Sequence, residues 1–187
     1  IPPEEKVSIH KSIAKHFQHL DGNNYAYHLE KAQMLADASI ILQASAKSLI
    51  EQQEYSEALL KVNTAISFQE DTHHFPLFFL KGMLLKLLNI PSKATKALEI
   101  ALSFSRKNEE KIKVYLELME IYLINRRTER AKSILKQALI IHSKNDSTQI
   151  RLKLKKIERH IANHNSSIHQ INEELHYSFP DSLNSLI

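Results

Sequence analysis

Eleven histidines stand in this 187-residue chain, and they offer it the most chemistry. An imidazole can take a proton, give one or bind a metal near neutral pH. Asp71, His73 and His74 fall together in one polar stretch, a composition that suits metal binding or acid–base work. A polar turn between two helices is the plainer reading, and it is the expectation here. His160 and His164 are four apart and share a helix face, but no His-Glu-x-x-His motif accompanies them. They read as solvated side chains at a basic, fraying helix end. His10 and His28 read as partly buried, orienting the first two helices by hydrogen bonds. Nucleophilic catalysis needs a nucleophile, a base and an orienting group brought together. Serines are plentiful, but none lies in a glycine-bearing elbow. With two glycines in all, Gly22 and Gly82, and no P-loop motif, a phosphate-cradling loop is excluded. The absence of cysteine removes disulfides, thiol chemistry and cysteine-bound metals. An enzyme is not expected, nor a cofactor or a metal.

The net charge of +4 is a mild excess, concentrated in the run Arg151, Lys153, Lys155, Lys156 and Arg159. Leu152, Leu154 and Ile157 alternate with these cations, so the segment reads as a helix that docks its apolar residues and leaves its charges in water. An acidic protein surface is the functional alternative. Nucleic acid is not expected, because no aromatic residues interleave with the cations. No apolar run reaches the roughly 18 residues that span a bilayer. The longest candidate, "FPLFFLKGMLLKLLNI", is broken by Lys81 and Lys86, so no membrane insertion is expected and a cytoplasmic location is. The chain does not begin with Met, which reads as an excised fragment or a processed chain.

The elements that must position these residues are helices. Apolar residues return every three or four positions almost throughout. Scarce glycine and five prolines leave few residues suited to hairpin turns. The spacing predicts helices over about 4–17, 25–35, 38–51, 55–69 and 76–88. Pro91 opens a sixth, where its missing N–H costs nothing. Others follow over about 109–124, 128–142 and 148–162, with a short one around 168–176. Asn23 or Asn24 is the expected cap of the second.

These helices repeat. Ala58 and Ala65 are seven apart, as are Ala94 and Ala101, and Ala131 and Ala138. The first members are separated by 36 and then 37 residues. Twelve residues before them stand Ala46, Gly82 and Met119, then Leu49, Leu85 and Tyr122. Four after them stand Val62, Leu98 and Leu135. Small side chains at fixed intervals let two helix axes approach closely, and the large neighbours fill the remaining volume. Stacked pairs share a core that one pair cannot supply.

The segments "ASAKSLIEQQEYSEALLKVNTAI", "LKGMLLKLLNIPSKATKALEIAL" and "LELMEIYLINRRTERAKSILKQAL" resemble the tetratricopeptide repeat. Met119 departs from the small residue usual at its position. None of the three closes with the frequent proline, and the period exceeds the family's usual 34 or so. The resemblance implies an all-α, right-handed superhelix of stacked antiparallel helix pairs, about nine or ten helices. It divides a single domain, 1–187, into an N-terminal pair (1–37), three repeats (39–143) and a capping helix with a tail (145–187). It also implies a concave groove lined by the first helix of each pair. The family's groove offsets fall on Gln43, Lys47 and Glu51, then on Phe79, Met83 and Lys86, then on Leu116, Glu120 and Ile124. Phe79 and Met83 suit an apolar pocket, with core packing as the competing reading. Lys47 and Lys86 suit a carboxylate, with plain solvated surface as theirs and Gln43's. The chaperone-binding members' two-lysine clamp with an asparagine is not reproduced.

The implied function is a non-catalytic scaffold, adaptor or regulatory module that binds a protein or peptide. The alternatives are a small-molecule-sensing segment of a larger regulator and self-association as a homodimer. A second resemblance supports the sensing alternative. "IHKSIAKHFQH" with "NNYAYHLEKAQMLADASIILQASAKSL" is similar to the helical superhelix that follows the nucleotide-binding core of large signal-transducing ATPases of the maltose-activator type. His10, Ile13, Ala14, Ala26, His28, Leu29 and Ala46 carry it. In the tail, Leu175, Tyr177, Phe179, Leu183 and Leu186 supply enough apolar surface to fold back on the stack or to mimic a partner.

Overall fold

The computed structural model describes residues 1–18, 21–68, 74–142 and 148–162. The tail, Asp71, His73, His164 and the His160 side chain lie outside them, as does the helix expected around 168–176. The described residues form α1 (Pro3–Phe17), α2 (Gly22–Lys31), α3 (Leu35–Glu51), α4 (Tyr55–Ser67), α5 (Phe75–Leu87), α6 (Pro91–Phe104), α7 (Asn108–Ile124), α8 (Thr128–His142) and α9 (Thr148–Ala162). No strand occurs among them, as the spacing predicts. None of these helices is long and apolar enough to cross a membrane.

Local chemistry sets the helix ends. α2 begins before Tyr25 because Asp21 caps it. The Asp21 carboxylate accepts from the N–H groups of Asn23 and Asn24 at 2.8 and 3.2 Å. Asn24 is therefore not the cap; its side-chain amide donates back to Asp21 at 2.7 Å. At α7, the Glu110 carboxylate accepts from the N–H groups of Arg106 and Lys107. It thereby satisfies donors that a helix start leaves open.

The turns reverse one expectation drawn from the scarcity of glycine. Gln33, Gln53, Asn89 and Arg126 all have positive φ, between 56° and 63°. Each follows a helix as the left-handed residue of a Schellman motif. At the end of α3, Gln53 N–H donates to the Ile50 carbonyl and Glu54 N–H to that of Leu49. The same pair of bonds recurs at Asn89 and Ile90, and at Arg126 and Arg127. Tight left-handed turns are therefore present without glycine, and the last three recur with the spacing of the alanines. A side chain in this conformation costs roughly 1–2 kcal/mol, part of which glycine's extra backbone entropy takes back. Gln53→Gly is expected to raise stability by up to about 1 kcal/mol in urea unfolding; a loss would show that the Gln53 side chain contributes more than its backbone strain removes.

The chain divides into two compact units, residues 1–90 and 91–187, with the division inside the second repeat-length segment. In the first unit α1 packs on α2, α2 on α3, α3 on α4 and α4 on α5. The three-residue turn between α3 and α4 makes that pair antiparallel, and Ser39 Oγ donates to the Ala65 carbonyl at 3.1 Å, tying the start of α3 to the end of α4. In the second unit α6 packs on α7, α7 on α8 and α8 on α9. The phased residues Ala58, Ala65, Ala94, Ala101, Ala131 and Ala138 are each 0% exposed. Val62, Leu98 and Leu135, the large residues between them, are buried too. Ala97, outside the phased pairs, is also buried.

Candidate partner-binding surface

Gln43, Lys47 and Glu51 are spaced i, i+4, i+8 along α3, so they form one line on its surface. Gln43 and Lys47 are half-buried and Glu51 is exposed. The core side of α3 is carried by Ala38, Ser39, Leu42, Ala46 and Ile50. Ile40 and Ala44, exposed about two turns and one turn before Lys47, add apolar surface near the line. α3 thus offers a mixed polar and apolar strip with both signs of charge.

α5 is different. Its sequence, "FPLFFLKGMLLKL", is apolar apart from Lys81 and Lys86, and a helix so largely apolar is buried over most of its surface. Phe75, Leu77, Phe79, Leu80, Gly82, Met83, Leu84 and Leu85 are all buried. Phe79 is 0% and Met83 2% exposed, and the Phe79 ring stacks on Phe75 at 5.6 Å. Core packing, the competing reading of these two residues, describes where they sit; they do not line an open pocket. Lys86 is half-buried near the end of α5. At the helix start, His74 meets Phe78 edge-on at 6.1 Å.

In the second unit, Leu116, Glu120 and Ile124 line up along α7 and all three are half-buried. Beside them lies Glu117, a buried carboxylate that the repeat offsets do not select. The run "VYLELMEIYL" carries two charges, Glu117 and Glu120, of which the first is buried and the second half-buried. Burial lowers the pKa of Lys113, one turn earlier, against the raising effect of Glu109 and Glu110. Burial likewise raises that of Tyr115.

On α9 the basic run keeps most of its charges in water. Arg151, Lys155, Lys156 and Arg159 are exposed and Lys153 is half-buried. Leu154, Ile157 and Ile161 form the buried stripe of the helix. Leu152 does not join them: it is 58% exposed. At 100° per residue it falls away from the line through 154, 157 and 161, so the expectation that it docks is corrected. Among the described residues no group of three His, Cys, Asp or Glu side chains is placed to hold a metal ion.

No family model and no curated protein matches the chain. Solved structures do. The TPR domain of Arabidopsis OM64 superposes with a TM-score of 0.58 at 16% identity, covering 70% of this chain and 98% of that one. The first TPR of Spaghetti (RPAP3), bound to the HSP90 peptide SRMEEVD, gives 0.55 at 16% identity, covering 68% and 95%. The chain has the tetratricopeptide-repeat fold. Pseudomonas aeruginosa PilF is similar over more of the chain, 95% of it and 78% of PilF, with a TM-score of 0.50 and 18% identity. The six fully buried alanines lie on α4, α6 and α8. Gln43, Lys47 and Glu51 lie on α3, and Leu116, Glu120 and Ile124 on α7.

Proposed function

We propose that this chain is a non-catalytic protein-interaction module that recognises a peptide or helical segment of a partner along the surface of α3. The observation that carries this reading is the line Gln43, Lys47 and Glu51, half-buried at its first two members and exposed at its last, on a helix whose opposite side is packed into the core. Exposed Ile40 and Ala44 supply apolar contact beside it, and Lys47 and Glu51 supply register. The TPR fold supports the reading, since one solved structure of that fold is bound to a peptide. The α7 line, Leu116, Glu120 and Ile124, is a second contact of the same kind in the other unit. The exposed cations of α9 suit an acidic protein surface. Scaffold or regulatory work in a larger assembly follows from a surface that binds without bond-making.

A peptide library displayed against the full chain tests this. Selected peptides are expected to bind Lys47→Glu about tenfold more weakly, about 1.4 kcal/mol, while Lys11→Glu on α1 leaves them unchanged. Equal binding to the wild type and to a folded Gln43→Ala/Lys47→Glu variant would remove α3 from the interface.

A further inference from the structure

α1 is the least anchored helix of the first unit. Ala14 is its single fully buried side chain; Val7, His10, Ile13 and Phe17 are half-buried. It packs on α2, and between the two helices His10 Nδ1 and His28 Nδ1 stand 2.8 Å apart. The ring centroids are 5.1 Å apart. That is close to the largest separation two imidazoles can have at this N···N distance, so both nitrogens lie nearly on the line of centres. A hydrogen bond needs that alignment. A shared metal ion would need both lone pairs to converge on a third point off the line.

One ring must donate and the other accept, so at least one histidine must be neutral. Other rings enclose the pair. Phe17 stacks on His28 at 5.7 Å with the planes 1° apart, and Tyr27 meets His10 and His28 edge-on at 6.3 and 5.2 Å. Beside it lies the apolar cluster of Ala14, Leu29 and Ala38, with Tyr25, Met34, Ile41 and Phe68 packed against it.

We propose that the His10–His28 pair makes α1 a pH-released cover over this cluster: it stays docked while one of the two histidines is neutral and detaches when both carry a proton. Two imidazolium rings are donors only, and they repel each other at this distance. The charged neighbours do not offset this. On α1, Lys6 and Lys11 flank His10 in sequence and His16 meets the Phe17 ring at 5.4 Å. On α2, Lys31 lies over the Tyr27 ring at 5.4 Å and pairs with Glu30 at 3.2 Å. α3, packed on α2, brings Asp37 in its first turn, and that residue is exposed. Partial burial first, and then the charge of His10, push His28 below the ordinary histidine value of 6.5. A histidine depressed in the folded state stabilises the docked form above that value, and the stabilisation is lost as pH falls through the lower, folded value. Release uncovers apolar surface of α2 and α3.

Hydrogen exchange of the α1 amides in the full chain, corrected for the intrinsic pH dependence of exchange, reads the release directly. Between about pH 7.5 and 5.5, α1 protection is expected to fall by up to about tenfold per pH unit for each proton taken up on opening, with α4 unchanged. His10→Gln and His28→Gln can still hydrogen-bond but do not titrate, so both are expected to flatten the profile with α1 docked. Constant wild-type protection, or a wild-type fall in both variants, overturns the proposal. If a glutamine variant leaves α1 unprotected at every pH, the wild type decides: its fall must track the His28 ring-proton shift, and an offset beyond about one pH unit refutes the release mechanism.

Discussion

Phe79→Ala is expected to destabilise the first unit by about 3–5 kcal/mol. The ring is wholly shielded from water and sits in a helix with no polar side on which to relax. Its loss removes the transfer free energy of an aromatic side chain and leaves a cavity that a close-packed helix closes only in part. The stacked Phe75 loses its partner as well, a contact of about 0.5–1.5 kcal/mol. Urea unfolding followed by circular dichroism gives the number. A change below about 1 kcal/mol would return Phe79 to the partner-facing role that its repeat offset implies, because only an accessible ring is removed that cheaply. The same variant is thus a poor probe of binding, since it weakens the scaffold before it reports on the surface.

Ala58→Leu is expected to cost at least 1–3 kcal/mol or so, by overpacking. Ala58 is fully buried on α4, and α4 packs against both α3 and α5. Extra carbons there must either force a strained rotamer or push two helix axes apart. Leu60, two residues on and 62% exposed, is the control: Leu60→Ala is expected to fall within about 0.5 kcal/mol of the wild type. If the two variants unfold at the same urea midpoint, close axial approach is not what fixes alanine at this position.

The intervals between alanines were legible because they record a steric requirement: at a tight helix crossing, volume is what matters. The turn conformations were not. Gln33, Gln53, Asn89 and Arg126 include no glycine, and only Asn89 is of a type that favours the left-handed conformation. The cap of α2 was misplaced by a few residues because Asp21, Asn23 and Asn24 have equal capping chemistry, and only geometry makes Asp21 the acceptor. For the candidate surface, the repeat offsets fall on half-buried to exposed residues of α3 but also on Phe79 and Met83, where the composition of α5 itself argued for burial. On α9, the alternation of leucines with cations disguised the helical period, which separates Leu152 from Leu154 and Ile157. The histidines His10 and His28 were legible as a pair orienting two helices; the line-of-centres contact that couples their protons needed coordinates.

The six shielded alanines also bear on what kind of message this chain carries. A crossing that demands a small volume constrains one position in each turn or two and leaves its neighbours free to be any residue that fits. The architecture is therefore encoded as a rhythm of sizes, and a letter-by-letter comparison reads very little of it. Structures sharing 16–18% of their residues with this chain can keep the same rhythm while exchanging nearly every word.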